Sequence, residues 1–273
     1  NGGNNLAIGA RALDANTSGT GNLAIGADAL GSNTNSSDSI AIGISALALS
    51  TGTGNLAIGP RALDVNTTGF NNIAIGIDAL GANLTTSLNL AIGFNALLLN
   101  TASSNIAIGH NALDANTSGS PNLAIGNSAL GANVTGSQNL AIGNNALAVN
   151  TVSQNLAIGD GALDANTSGS QNLAIGLDAL GANITGANNL AIGRNALLLN
   201  TVSTNLAIGN AALGLNNTGT NNLAIGNLTL DANTTGSGNL AIGQNACGAS
   251  STVSNILGIG SNVLAVNTVA NNL

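Results

Sequence analysis

One short motif occurs sixteen times along this chain at nearly constant spacing. Each copy reads Leu or Ile, a small residue, Ile and Gly, and the closing glycines follow two longer intervals and then one that is shorter by a single position. Three such intervals make a 50-residue super-period, and only the last interval, which is long where a short one is expected, departs from it. A fixed period indicates a stack in which each repeat buries its apolar side against its neighbours. We therefore predict a single repeat domain over residues 1–273.

Within each repeat, numbering from the closing glycine as position 0, the motif predicts a short β-strand. Side chains alternate across a strand, so positions −3 and −1 lie on one face and positions −2 and 0 on the other. We expect the large aliphatic residues at −3, −1 and +4 to fill the coil. The Ala-Leu pair at +3 and +4 predicts a second short strand, and Asn-Thr-x-Gly is typical of a turn. The predicted fold is an all-β solenoid of about 16 coils of 16–17 residues.

The positions of the charged residues indicate how many residues make one coil. Arg11 and Arg61 lie one super-period apart, so a coil of that length would stack them at roughly 4.8 Å, which is unfavourable for like charges. A coil of one repeat instead places Arg11 beside Asp28 and Arg61 beside Asp78. We therefore predict one repeat per coil, with these two ion pairs joining neighbouring coils and asparagine columns at two corners.

The small residue at position −2 is Ala in fifteen repeats and Gly in one, which indicates a steric limit on that face. We interpret the limit as close contact with another chain; an internally tight coil is the alternative. The predicted interface residues are Ala7, Gly9, Ala24, Gly26, Ala57, Gly59, Ala74, Gly76, Ala124 and Gly126.

The string Asn-Leu-Ala-Ile-Gly-x-x-Ala-Leu, as in residues 55–63, resembles the head repeats of trimeric autotransporter adhesins and similar repeats of phage tail fibres. The resemblance covers essentially the whole chain. It implies a left-handed parallel β-roll, three chains packed about one axis, and a role in attachment or as a fibre shaft. The repeats are longer and more regular than those of typical adhesin heads, and neither a coiled-coil stalk nor a membrane anchor is seen.

The composition argues against several other classes of function. Charged residues make up 5% of the chain and the net charge is −7, so the basic surface of a nucleic-acid-binding protein is missing. No apolar run reaches the roughly 18 residues of a membrane span. His110 is interpreted as a variable surface residue and Cys247 as a small buried one, which leaves no ligand set for a metal. We expect no cofactor, no catalytic residues and no enzymatic activity.

We therefore expect a structural and adhesive protein, located outside the cell, on its surface or in a virion fibre. Its expected partner is itself, as a homotrimer, together with a host-surface or matrix receptor. The chain shows no clear terminal cap and no Met, which suggests a processed product or a fragment, or else a self-polymerising filament joined through its ends. An ice-binding threonine column is a weaker alternative, because Leu84, Val134 and Ile184 interrupt it.

Overall fold

The computed structural model describes residues 3–264, and within that range the regular secondary structure consists entirely of short parallel strands. The chain divides into two compact units, Asn1–Gln138 and Asn139–Leu273. Each unit contains eight strands, one from each repeat, so both units are parallel β-solenoids.

The strands of both units are three residues long, apart from one of four residues in each. The first unit contains β1 (Leu6–Ile8), β2 (Leu23–Ile25), β3 (Ile40–Ile42), β4 (Leu56–Ile58), β5 (Ile73–Ile75), β6 (Leu90–Ile92), β7 (Ile106–Ile108) and β8 (Asn122–Ile125). The second unit contains β9 (Asn139–Ile142), β10 (Leu156–Ile158), β11 (Leu173–Ile175), β12 (Leu190–Ile192), β13 (Leu206–Ile208), β14 (Leu223–Ile225), β15 (Leu240–Ile242) and β16 (Leu257–Ile259).

Within each unit, every strand pairs in parallel with the strand of the next repeat. The register is strict: Leu6 lies opposite Leu23, and Ile40 lies opposite Leu56. These two pairs span a longer and a shorter repeat, so both repeat lengths are accommodated without a shift in the strand. The prediction that one repeat makes one coil is therefore confirmed in both units.

The interior of each coil is built from small residues and one leucine. Ala74 at position −2 is fully buried, and so are Ala79 and Leu80 at positions +3 and +4 of the same coil. The prediction that the residues at −3 and −1 fill the coil is wrong, because Leu56 and Ile58 remain partly exposed on the opposite face of the strand. A coil of this length is narrow inside. Only the small alanine side chains of the strand fit there, so the larger Leu and Ile side chains lie on the outer face.

The predicted second strand is absent from the described repeats, and a series of tight turns replaces it. Leu80 adopts a left-handed conformation with φ 54°, which no strand residue has. Its N–H nevertheless donates to the carbonyl of Ala96 in the next coil at 3.0 Å. The turns are thus hydrogen-bonded from coil to coil just as the strands are, and they hold the buried leucine in place.

Two columns of buried asparagines run along the coils, as the sequence predicts. At position −4, the Asn55 side-chain oxygen accepts from the Asn72 backbone N–H at 2.9 Å, and Asn72 Nδ2 donates to the Thr86 carbonyl at 2.8 Å. At position +7, Asn83 Nδ2 donates to Asn66 Oδ1 at 3.1 Å. Because a buried polar group without a partner costs about 1–3 kcal/mol, these amides hold each coil in register with the next.

Candidate assembly face

Each unit exposes an aliphatic surface formed by the outward side chains of its strands. We call this the sheet face, and it consists of the Leu or Ile at position −3 and the Ile at position −1 of every repeat. Ile40, Ile73 and Ile106 are each 38% exposed, and most other members are partly exposed. Neighbouring strands lie about 4.8 Å apart, so the face presents two columns of aliphatic side chains with that spacing along each column.

The sheet face has the properties of a protein–protein contact surface. Its two columns contain only Leu and Ile along the whole chain, with no charged or polar side chain among them. Continuous exposed apolar surface of this kind is unusual on a monomeric protein and marks an interaction site. A partner that covered it would remove two aliphatic side chains per coil from water.

The structure does not place the predicted alanine interface between chains. Position −2 points into the coil, and its methyl group has no exposed surface in four of the five predicted cases; Ala7, in the first strand, is exposed. The four buried residues are Ala24, Ala57, Ala74 and Ala124. The steric limit seen in the sequence is real, but its cause is the narrow interior of the coil itself.

The predicted interface glycines serve contacts between coils of the same chain. Gly59 has φ +133°, and a Cβ placed on it would lie 2.6 Å from the carbonyl oxygen of Gly76. That distance is well inside van der Waals contact, and the backbone conformation is one that side-chain-bearing residues rarely adopt. Gly9, Gly26 and Gly76 have the same conformation, as does Gly126.

The two predicted ion pairs are present in the first unit. Arg11 donates to both carboxylate oxygens of Asp28, at 2.5 and 2.7 Å, and Arg61 donates to both oxygens of Asp78 at 2.6 Å. The hydrogen bonds from Arg11 hold the pKa of Asp28 below its ordinary value. Because the pairs are largely exposed, we expect them to contribute little to stability.

The variable position +1 carries a ring pair that the sequence analysis missed. Phe94 and His110 occupy this position in successive coils, and their rings stack with centroids 5.3 Å apart. His110 Nδ1 lies 3.1 Å from the side-chain oxygen of Asn127 in the following coil. The sequence contained a signal for this pair, because one repeat per coil places the +1 residues of successive repeats side by side.

Neither His110 nor Cys247 belongs to a metal-binding group. Among the described residues, no cluster of three or more His, Cys, Asp or Glu side chains could hold a metal ion. Cys247 is fully buried in the leucine column, as predicted, and burial raises the pKa of its thiol. It replaces a core leucine and is shielded from solvent.

No protein-family model matches the chain, and no curated protein matches it either. Over residues 3–264, no helix has the length and apolar character to cross a membrane.

Four aspartates at position +5 are expected to make the stability of the fold depend on pH in an uncommon direction. Burial raises the pKa of Asp64, Asp114, Asp164 and Asp231, so the folded state binds their protons more readily than the unfolded state does. Their contribution to the free energy of unfolding is therefore fully present below the ordinary aspartate pKa of about 3.9. It is lost as the pH rises through the raised pKa values of the folded state. Asp28 acts in the opposite direction, but it is one group against four.

We therefore predict a higher melting temperature at pH 4 than at pH 7. Calorimetry over this range checks the prediction, with a variant carrying all four aspartates as asparagine for comparison. The variant should lose most of the difference. A wild-type protein that melts at lower temperature at pH 4 would show that these partly buried carboxyls do not control the pH dependence.

Proposed function

We propose that this chain is a structural, adhesive segment of an extracellular fibre, in which three copies pack side by side through their sheet faces. The observation that carries the proposal is the uninterrupted pair of outward aliphatic columns in each unit. The resemblance to trimeric adhesin heads and phage fibres supports the number of chains and the location, on a cell surface or in a virion fibre.

A second copy of the chain is the partner that fits this face best. The columns repeat at the coil spacing of about 4.8 Å, and another copy offers the same two columns at the same spacing. The chain carries a net charge of −7, yet the face itself contains no charge, so copies meet there without like-charge contact. Apolar burial at about 25 cal/mol per Å² then favours association along the full length of each unit.

The adhesive part of the proposal rests on what remains exposed once the sheet faces are covered. Variable side chains at positions +1, +2, +5 and +6 recur coil after coil, so one receptor contact would be repeated many times along a fibre. Repeated weak contacts of this kind raise overall avidity without a single strong site. A receptor on a host surface or in an extracellular matrix is the kind of partner that such a surface suits.

Light scattering across a concentration series tests the proposed assembly. We expect a stable species near three times the 26.1 kDa mass of the chain. A mass that climbs steadily with concentration would favour the filament alternative instead. A species of 26.1 kDa at every concentration would contradict association through the sheet face.

A further inference from the structure

A row of apolar and aromatic side chains at position +1 crosses five consecutive coils of the first unit. We call it the +1 row, and its members are Ile44, Pro60, Ile77, Phe94 and His110, all of them exposed. Ile44 is 60% exposed, and Ile77 and Phe94 are 42% and 44% exposed. At about 4.8 Å per coil, the row is roughly 19 Å long.

The +1 row lies beside one edge of the sheet face. Each member follows the position −1 isoleucine of its own coil, with only the glycine at position 0 between them, as in Ile75, Gly76 and Ile77. Residues two apart in a chain lie within about 7 Å of each other, and glycine has no side chain to separate them. In these five coils the exposed apolar surface is therefore three columns wide instead of two.

The aromatic end of the +1 row is already ordered in the single chain. The rings of Phe94 and His110 stack with their centroids 5.3 Å apart and their planes at 14° to each other. His110 Nδ1 lies 3.1 Å from Asn127 Oδ1 in the next coil. A side chain that is ordered before binding loses less conformational entropy, and buried aromatic residues supply much of the energy of protein contacts. Phe94 is therefore suited to anchor a partner.

The row is confined to these five coils. Position +1 carries Ala27 in the coil before it and Asn127 in the coil after it. In the second unit the one aliphatic residue at this position is Leu177, and the neighbouring coils carry Asp160 and Arg194 there. Removing those charges from water is costly, so a partner chain cannot close over Leu177 as it can over the +1 row.

A second copy of the chain is the occupant that these features favour. The +1 row extends the surface through which copies are proposed to meet, and another copy offers side chains at the same coil spacing. The charged residues next to the row at position +2, Arg61 and Asp78, neutralise each other through two hydrogen bonds of 2.6 Å. Two copies, each with a net charge of −7, can therefore approach here without like-charge contact at this edge.

We propose that the +1 row of the first unit is a contact surface for a second copy of the chain, with Phe94 as its anchor. This contact rests on the proposed assembly through the sheet faces and adds a third column of side chains to it in the first unit. Self-association then depends more on the first unit than on the second. Position +1 of the remaining coils, which is mostly polar, stays available to a receptor.

The double substitution Ile77→Asn and Phe94→Asn tests the contact. Position +1 carries asparagine one super-period later, at Asn127 and Asn144, so the fold accommodates this residue there. We expect self-association, measured by light scattering across a concentration series, to weaken at least about tenfold. Leu177→Asn, two super-periods after Ile77, is the matched control and should associate as the wild-type chain does.

Maleimide labelling tests whether a second copy covers the row directly. In Phe94→Cys, we expect the new thiol to react several-fold more slowly in the assembled state than in the dilute state. In Leu177→Cys, the two rates should be the same. The wild-type chain gives the background, because Cys247 is fully buried. Equal protection of the two new cysteines would overturn the proposal, since the copies would then cover both units alike.

Failure of this proposal can be told apart from failure of the proposed assembly. If Ile58→Thr with Ile75→Thr weakens association and the double asparagine variant does not, the sheet faces assemble without the +1 row and this proposal is wrong. Equal weakening in Leu177→Asn would also overturn it. A wild-type chain that stays at 26.1 kDa at every concentration would contradict both, because no second copy would then be bound.

Discussion

Replacing Gly59 by alanine is expected to destabilise the protein by about 3 kcal/mol or more. The residue has φ +133°, and the added methyl carbon would lie 2.6 Å from the Gly76 carbonyl oxygen. That oxygen belongs to the backbone of the next coil, so it cannot move aside as the end of a side chain can. Chemical denaturation followed by circular dichroism measures the loss.

Gly131→Ala is the matched control for this prediction. A Cβ at Gly131 would lie 3.3 Å from the Ser128 carbonyl oxygen, and the residue does not have a positive φ. We expect a change in unfolding free energy of no more than about 0.5 kcal/mol there. Similar losses in the two variants would mean that the coil spacing does not require glycine at position 0.

The double substitution Ile58→Thr and Ile75→Thr is expected to weaken self-association at least about a hundredfold. Both side chains lie on the sheet face and point away from the coil. A fully buried isoleucine contributes about 1.5–3 kcal/mol, and about 1.4 kcal/mol corresponds to a tenfold change in a binding constant. Threonine keeps the branched β-carbon that strands favour, so the coil itself should remain folded.

Light scattering of the double variant measures this effect against a second pair of substitutions. Leu49→Thr and Leu99→Thr remove aliphatic side chains that are each 48% exposed at position +6, outside the strands. The control should associate as the wild-type chain does. Equal weakening in both pairs would indicate that general surface hydrophobicity, rather than the sheet face, controls association.

The length of the coil could be predicted because like charges repel, and opposite charges attract, when they stack on neighbouring coils. With Arg11 and Arg61 one super-period apart, only a coil of one repeat brings each beside an aspartate, and the structure has both pairs. The asparagine columns were predictable for a similar reason, since identical amides at identical positions can bond along a stack.

The choice of the inner face could not be read from alternation alone. A period of two separates the faces of a strand but does not say which one is inside. The expectation that large residues lie inward fails here because the coil is narrow, and Ala74, Ala79 and Leu80 already fill it. A signal was present, since position +3 is alanine in every repeat except at Thr229 and Val263. Thr229 is buried, and its hydroxyl donates to the Gly243 carbonyl at 2.6 Å.

The most direct test of the sheet-face assembly is the reactivity of a cysteine placed on that face. In the Ile75→Cys variant, we expect a maleimide to react readily when the protein is dilute and much more slowly once it has assembled. The wild-type chain is the background control, because Cys247 is fully buried. Reaction of Ile75→Cys at the same rate in the dilute and assembled states would contradict the account, since the face would then remain open to solvent.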